Sequence, residues 1–324
     1  MALRTRLTEK LRIKHPILLA PMGSIAGGRL AGAVSEAGGL GLIGGGYGDR
    51  GWLEKEFAAA GNRRVGCGFI TWSLAKQPGL LDHVLAYRPT AVMLSFGDPR
   101  PFAARIRSAA TTLICQVQSR DHALQALDAG AEVIVAQGTE AGGHGGVRAT
   151  LPMVPAIVDL VAQRAPQAMV VAAGGIADGR GLAAALALGA QGVLVGTRFY
   201  ATIEALGHDS AKARIVAASG ENTVRTSVFD TARGYRWPDA ITGRALRNDF
   251  SSRWHGRDGE LAATIDSEMD RYQTAAAQGD VDTAVVFAGE GADLISDVPS
   301  AGEIVSRLVA EAESALAAAS AHLV

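Results

Sequence analysis

The chain has 324 residues, of which 48% are hydrophobic and 19% charged, and its formal net charge is −1. That composition suits a globular protein long enough for one large α/β barrel or two modest domains. The near-neutral balance gives no electrostatic reason to bind nucleic acid or an anionic membrane surface, and no stretch approaches the length of about 18 apolar residues that spans a bilayer.

The first residues, MALRTRLTEKLRIKHP, are basic but contain no apolar h-region, so no secretory signal is expected and the protein is read as cytoplasmic. Eight short apolar runs then follow in order: PILLA (16–20), GLGLI (39–43), VGCGF (65–69), AVMLS (91–95), TLICQV (112–117), EVIVAQ (132–137), MVVAAG (169–174) and GVLVG (192–196). They carry Val, Ile and Leu without polar alternation, as strands buried on both faces of a parallel sheet do. Helix-like segments separate most of them, and RLAGAVSEAG (29–38), ALQALDAG (123–130) and GRGLAAALALG (179–189) each end in glycine. The runs start mostly about 20 to 26 residues apart, the length of a βα unit, and share no sequence motif. Eight such units predict a closed (β/α)8 TIM barrel rather than an open sheet. Cys67 and Cys115 lie inside two of the runs and read as buried core thiols in a reducing compartment.

The pattern stops after about Thr202. Residues 205–284 hold AKARIVAAS, the polar stretch with YRWPD (235–239) and RNDFSSRWHGRDGE (247–260), with short helices and no convincing strand. They are expected to form a small, mainly helical, substrate-covering domain inserted after the eighth strand. Residues 1–204 and 285–324 would then make the barrel. The chain returns through AVVFAGEGADLI (284–295), and Ser300 and Glu303 form a capping box for a last alanine-rich helix on the barrel's outside.

GLGLIG (39–44) satisfies G-x-G-x-x-G literally, but a helix precedes it and its glycines lie in and after the strand, so a dinucleotide fold is not indicated. The other glycine clusters fall at the C-terminal ends of predicted strands, where barrel enzymes build their sites. APMG (20–23) follows the first run, TEAGGHGG (139–146) the sixth, GGIADG (174–179) the seventh and GTRF (196–199) the eighth. The last two are neighbours in a barrel. Gly174, Gly175, Gly196 and Thr197 can therefore turn backbone amides toward one phosphate, although tight βα turns alone would also call for such glycines. A phosphate at that corner, with other strand ends free to surround a planar ring, suggests FMN.

On these residues the chain resembles the nitronate monooxygenases, FMN-dependent (β/α)8 enzymes. The resemblance rests on HPILLAPMG, AGAVSEAGGLGLIGGG, VIVAQGTEAGGHGG, VVAAGGIADGRGLAAALALGAQGVLVGTRF and FAGEGADLI, and it is weakest in the middle domain. It implies that Ala20, Pro21, Met22 and Gly23 lie along the isoalloxazine edge, with Thr71 nearby. It implies further that Gln137, Gly142 and Gly143 line the site, and that Gly174, Gly175, Ile176, Gly196 and Thr197 enclose the phosphate end. Gln116 stands where many relatives carry a lysine near flavin N1–C2. A neutral amide there should stabilise the reduced, anionic flavin less.

His144 is the candidate catalytic residue. In the family this histidine faces the substrate near flavin N5 and acts as base on a nitroalkane or positions the nitronate; an imidazole, with a pKa of about 6.5, suits that task. The other histidines, His15, His83, His122, His208, His255 and His322, show no metal-ligand spacing and read as surface or loop residues. Tyr235 and Trp237 either roof the flavin or form the small core of the middle domain. The leading function is thus oxidation of alkyl nitronates, and nitroalkanes where His144 removes the proton, by O2 to a carbonyl compound and nitrite. The alternative is an FMN-dependent NAD(P)H reductase of enoyl thioester or quinone type, since the FMN-dependent enoyl-acyl-carrier-protein reductases of type II share the pattern. A flavin-binding relic without turnover is a third reading, disfavoured by the intact histidine. A small-molecule substrate and O2 are the expected partners, with no nucleic acid and no membrane, and a homo-oligomer is left open.

Overall fold

A computed structural model describes residues 3–238 and 240–322; the expected domain ends Met1, Ala2, Leu323 and Val324, and Asp239 of YRWPD, lie outside the described residues. Each of the eight apolar runs forms a strand. They are β1 (Ile17–Leu19), β2 (Leu42–Gly46), β3 (Gly66–Ile70), β4 (Ala91–Ser95), β5 (Thr112–Val117) and β6 (Val133–Gln137), then, after a three-residue β7 (Gly143–Gly145), β8 (Met169–Ala173) and β9 (Val193–Val195). The eight are parallel in the order β1-β9-β8-β6-β5-β4-β3-β2. A bridge from Leu18 to Leu40 brings β1 against the chain entering β2 and closes the ring. The fold is a (β/α)8 barrel.

Side-chain alternation separates the two apolar layers. Leu18, Met93, Ile114, Val133, Val135, Val171 and Leu194 meet in one buried cluster, joined by Leu7 and Leu11 from the helix Arg6–Leu11. Ile17, Leu19, Ile43, Cys67, Leu113, Cys115 and Val170 belong to the layer shared with the surrounding helices. Burial pushes the Cys67 thiol up, and that of Cys115 up to about 12, so neither is a ready nucleophile. His15, expected at the surface or in a loop, is buried because the Gly38 turn packs against its ring.

The helix Gly179–Ala187 starts on the Asp178 cap. The helix Ala301–Ser320 starts on the expected Ser300–Glu303 capping box and lies against Gly179–Ala187 and Gly28–Glu36. The approach is close: a Cβ on Gly179 would lie 2.4 Å from Ala312 N. The helix that completes the ring is therefore supplied by the end of the chain.

Between β9 and that helix the chain makes the helices Asp209–Val216, Val228–Ala232, Asp249–Trp254, Asp258–Ala263 and Ile265–Gln278. It also makes two strands, β10 (Thr223–Thr226) and β11 (Thr242–Leu246), which corrects the strand-free reading of this region. TVRT and TGRAL are short and half polar because only one face is apolar. Val224 and Ala245 are buried, whereas the Arg225 and Arg244 side chains reach Thr139 in the loop after β6. A search for continuous apolar runs passes over such strands. Both are antiparallel, in the order β10-β11-β7, so the strand carrying His144 is an edge of this second sheet. No helix among the described residues is long and apolar enough to cross a membrane.

Candidate active site

A cavity of about 580 Å³ lies at the C-terminal ends of the barrel strands, within the size range of small-molecule sites. Ala20, Pro21, Met22 and Gly23 line one side, Gln116, Gly142, Gly143 and His144 another, and Gly174, Gly175, Ile176, Gly196 and Thr197 a corner. Thr71 and Gln137 are not on the cavity surface. Thr71 is buried at the start of the short helix Thr71–Leu74, and its hydroxyl has no partner among the described residues. Gln137 is buried one layer behind the cavity.

The inward positions that end β4, β5 and β6 are polar where the rungs below are apolar. Ser95 Oγ donates to Gln116 Oε1 at 2.9 Å, Gln116 Nε2 donates to Gln137 Oε1, and Gln137 Nε2 donates to the His144 carbonyl at 2.7 Å. This chain of bonds fixes the Gln116 carboxamide at the cavity wall and ties the barrel strands to the histidine segment. At the glycine corner Thr197 Oγ1 accepts from Gly289 N at 3.0 Å. A Cβ on Gly174 would lie 2.8 Å from Thr150 Oγ1 and 3.0 Å from Gly138 O, so this glycine serves the tight turn as well as the cavity.

The backbone of His144 pairs with Gly243 on β11. Its ring stacks on Trp237, with centroids 3.5 Å apart and planes 8° from parallel, and Phe287 and Phe96 complete its surroundings. Trp237 Nε1 donates to Tyr47 Oη at 3.0 Å, and Tyr47 stacks on Tyr235 at 3.7 Å. Trp237 lines the cavity, Tyr235 stands behind it stacked on Tyr47, and neither belongs to the separate apolar core of this region. The separate apolar core of this region is built from Val228, Phe229, Phe250, Trp254, Leu261 and Tyr272 among others. Burial raises the Tyr47 phenol well above its ordinary range, so it stays protonated.

His144 Nε2 lies 2.8 Å from Asp230 Oδ2, with the two side chains only 10% and 6% exposed. Asp230 Oδ1 is 3.7 Å from Arg233 Nη1, and Arg233 lies over the rings of Tyr235, Phe287 and Tyr47. Burial lowers the His144 pKa, the Asp230 carboxylate pulls it back up, and Arg233 and Arg225 add to the lowering. The ring is therefore neutral near pH 7 and able to accept a proton. Asp230 and Arg233 were missed by sequence reasoning. Their only signal was the acid and base three positions apart in DTARGYRW, beside two aromatic residues in a segment otherwise without landmarks.

The family profile described as nitronate monooxygenase matches residues 4–62 and 70–311. A nitronate monooxygenase of Neurospora crassa is 32% identical, over 93% of this chain and 90% of its own length. The (3aS,4S,5R,7aS)-5-hydroxy-7a-methyl-1-oxo-octahydro-1H-indene-4-carboxyl-CoA dehydrogenase of Mycobacterium tuberculosis is 29% identical over 99% of both chains. Among solved structures, FabK from Thermotoga maritima superposes with a TM-score of 0.86 at 31% identity, covering 99% of each chain.

Proposed function

The chain belongs to the nitronate monooxygenase family and is an oxidoreductase of that type, and we propose that it binds FMN and uses O2 to oxidise alkyl nitronates to a carbonyl compound and nitrite. The observation that carries this reading is that one cavity joins the glycine corner, the Ala20–Gly23 edge and a neutral His144. The family is flavin-dependent, and the residues present fit FMN. A Cβ on Gly143 would meet nothing within 4 Å, which leaves backbone facing open space where the ring would lie. Gly174, Gly175, Gly196 and Thr197 would hold the phosphate through backbone amides. When bound, the flavin supplies the electron-accepting centre.

The remaining roles belong to the chain. His144 accepts a proton from the carbon of a nitroalkane, or holds the nitronate once that proton is gone. Gln116 lies along the ring edge as a neutral amide. Residues 205–284 act as the substrate-covering domain, and Arg233, Trp237 and Tyr272 from this segment wall the cavity and exclude water. Arg233 gives that wall a cation suited to an anionic substrate.

A second reading, an NAD(P)H-dependent reductase of an enoyl thioester or quinone, is supported by the likeness to a carboxyl-CoA dehydrogenase across the whole chain. One experiment separates the two. The FMN-loaded protein is mixed anaerobically with propionate 3-nitronate and, separately, with NADH and NADPH, while the flavin absorbance is followed. A fast spectral change with the nitronate and none with the nicotinamides is expected. Fast bleaching by NADH or NADPH with no response to nitronate would establish the reductase. Protein that takes up no FMN would exclude both.

A further inference from the structure

We infer that Asp230 is a positioning residue that sets the tautomer of His144, placing the proton on Nε2 and leaving Nδ1 as the ring's proton acceptor. This rests on His144 being the proton-handling group proposed above. An ionised carboxylate can only accept, so its 2.8 Å bond to Nε2 requires the hydrogen there. Nδ1 has no partner among the described residues. Little water reaches the pair, so the orientation is not diluted by competing bonds.

The rest of the ring's freedom is removed by neighbours. Trp237 fixes the plane, and pairing of His144 with Gly243 fixes the backbone. Asp230 restricts rotation within that plane. It sits in the helix Val228–Ala232, whose Val228, Phe229 and Ala232 are buried in the local core, so the carboxylate is held by packing. The charged groups facing the imidazole are Asp230, Arg233 and Arg225. Arg244, on the paired strand, is taken up by Glu290 at 2.8 Å. Arg233 balances the charge of Asp230 through its other oxygen, Oδ1, at 3.7 Å.

The test compares wild type, Asp230→Asn, Asp230→Ala and His144→Ala, all loaded with FMN. Nitrogen-15 NMR of histidine-labelled protein reads the tautomer directly, with His144→Ala assigning the resonance among the seven histidines. The Nε2–H form is expected in wild type, with a mixture or the Nδ1–H form in Asp230→Asn. Turnover is then measured from about pH 5 to 9 with a neutral nitroalkane and with its preformed nitronate. Asp230→Asn should lower kcat/KM for the nitroalkane by about 100-fold or more and for the nitronate by less than about 5-fold, because only the first needs a base.

The pH profile has a definite sign. His144 must be neutral to act, and the Asp230 carboxylate raises its pKa. Removing that charge should move the acid limb to lower pH. A variant that merely opened the site to water would move it up toward the ordinary histidine value. An Nδ1–H tautomer in wild type, equal losses on both substrates, or an acid limb that rises would overturn the inference. His144→Ala retaining full nitroalkane activity would instead refute the base role itself.

Discussion

Of the glycines flanking His144, Gly142 is required by packing against backbone, whereas Gly145 and Gly146 face side chains at close range. A Cβ would lie 2.6 Å from the Ala288 carbonyl carbon at Gly142, 2.7 Å from Gln137 Nε2 at Gly145, and 3.1 Å from Gln118 Cβ at Gly146. Gly143 differs, with φ +73° and open space before it. Gly143→Ala should cost about 1–2 kcal/mol for the left-handed backbone and push a methyl group into the proposed ring site. Titration with FMN followed by fluorescence, beside a thermal melt, should show a folded protein with weakened flavin affinity; unchanged affinity would place the ring elsewhere. Gly142→Ala should chiefly lower the melting temperature, since its methyl meets backbone. The AGGHGG run stands out in the sequence, but which of its glycines faces open space does not. Asp230 was illegible for a different reason: the bond to His144 spans 86 positions, and local pattern carries no trace of such a pairing.

At the level of elements, regular periodicity was legible and edge pairing was not. The barrel strands announce themselves because burial on both faces demands an unbroken apolar run. β10 and β11 are half polar, and what fixes them is Arg225. Its guanidinium donates to the carbonyls of Thr139, Gly145 and Thr242, and burial with Arg244 nearby pushes its pKa down to about 10. Replacing it with methionine would remove this donor from the Gly145 and Thr242 carbonyls, at about 1–3 kcal/mol each, while Thr139 O keeps its bond from Arg244 Nε. Arg225→Met should therefore destabilise the protein by about 2–4 kcal/mol. Hydrogen exchange at residues 139–146 should accelerate more than in β4 or β5. Uniform acceleration would mean that the arginine supports the whole fold and not the histidine segment. At the barrel's last helix, loss of the Ser300 side-chain cap in Ser300→Ala should cost about 1 kcal/mol, readable as a small fall in the urea midpoint.

Across the whole molecule the barrel is completed only after the excursion of residues 205–284, because the helix Ala301–Ser320 covers the gap beside Gly28–Glu36 and Gly179–Ala187. The cavity is shared in the same way: barrel strand ends form its floor, and Arg233, Trp237 and Tyr272 contribute to its wall. A ligand filling that space therefore touches both parts, and its binding energy should appear in their joint stability. With free FMN at 100 times its Kd, linkage predicts about 2.7 kcal/mol of added stability. The melting temperature should rise by several degrees in a single transition. Limited proteolysis supplies the spatial readout, with cuts inside 205–284 expected to slow on FMN addition as the barrel becomes more resistant. Two transitions, with FMN shifting only the one assigned to the barrel, would show that the segment does not close over the cofactor and would return Arg233 and Trp237 to a structural role. A common shift follows if the wall is built as the geometry has it, since the segment cannot then open without exposing the flavin.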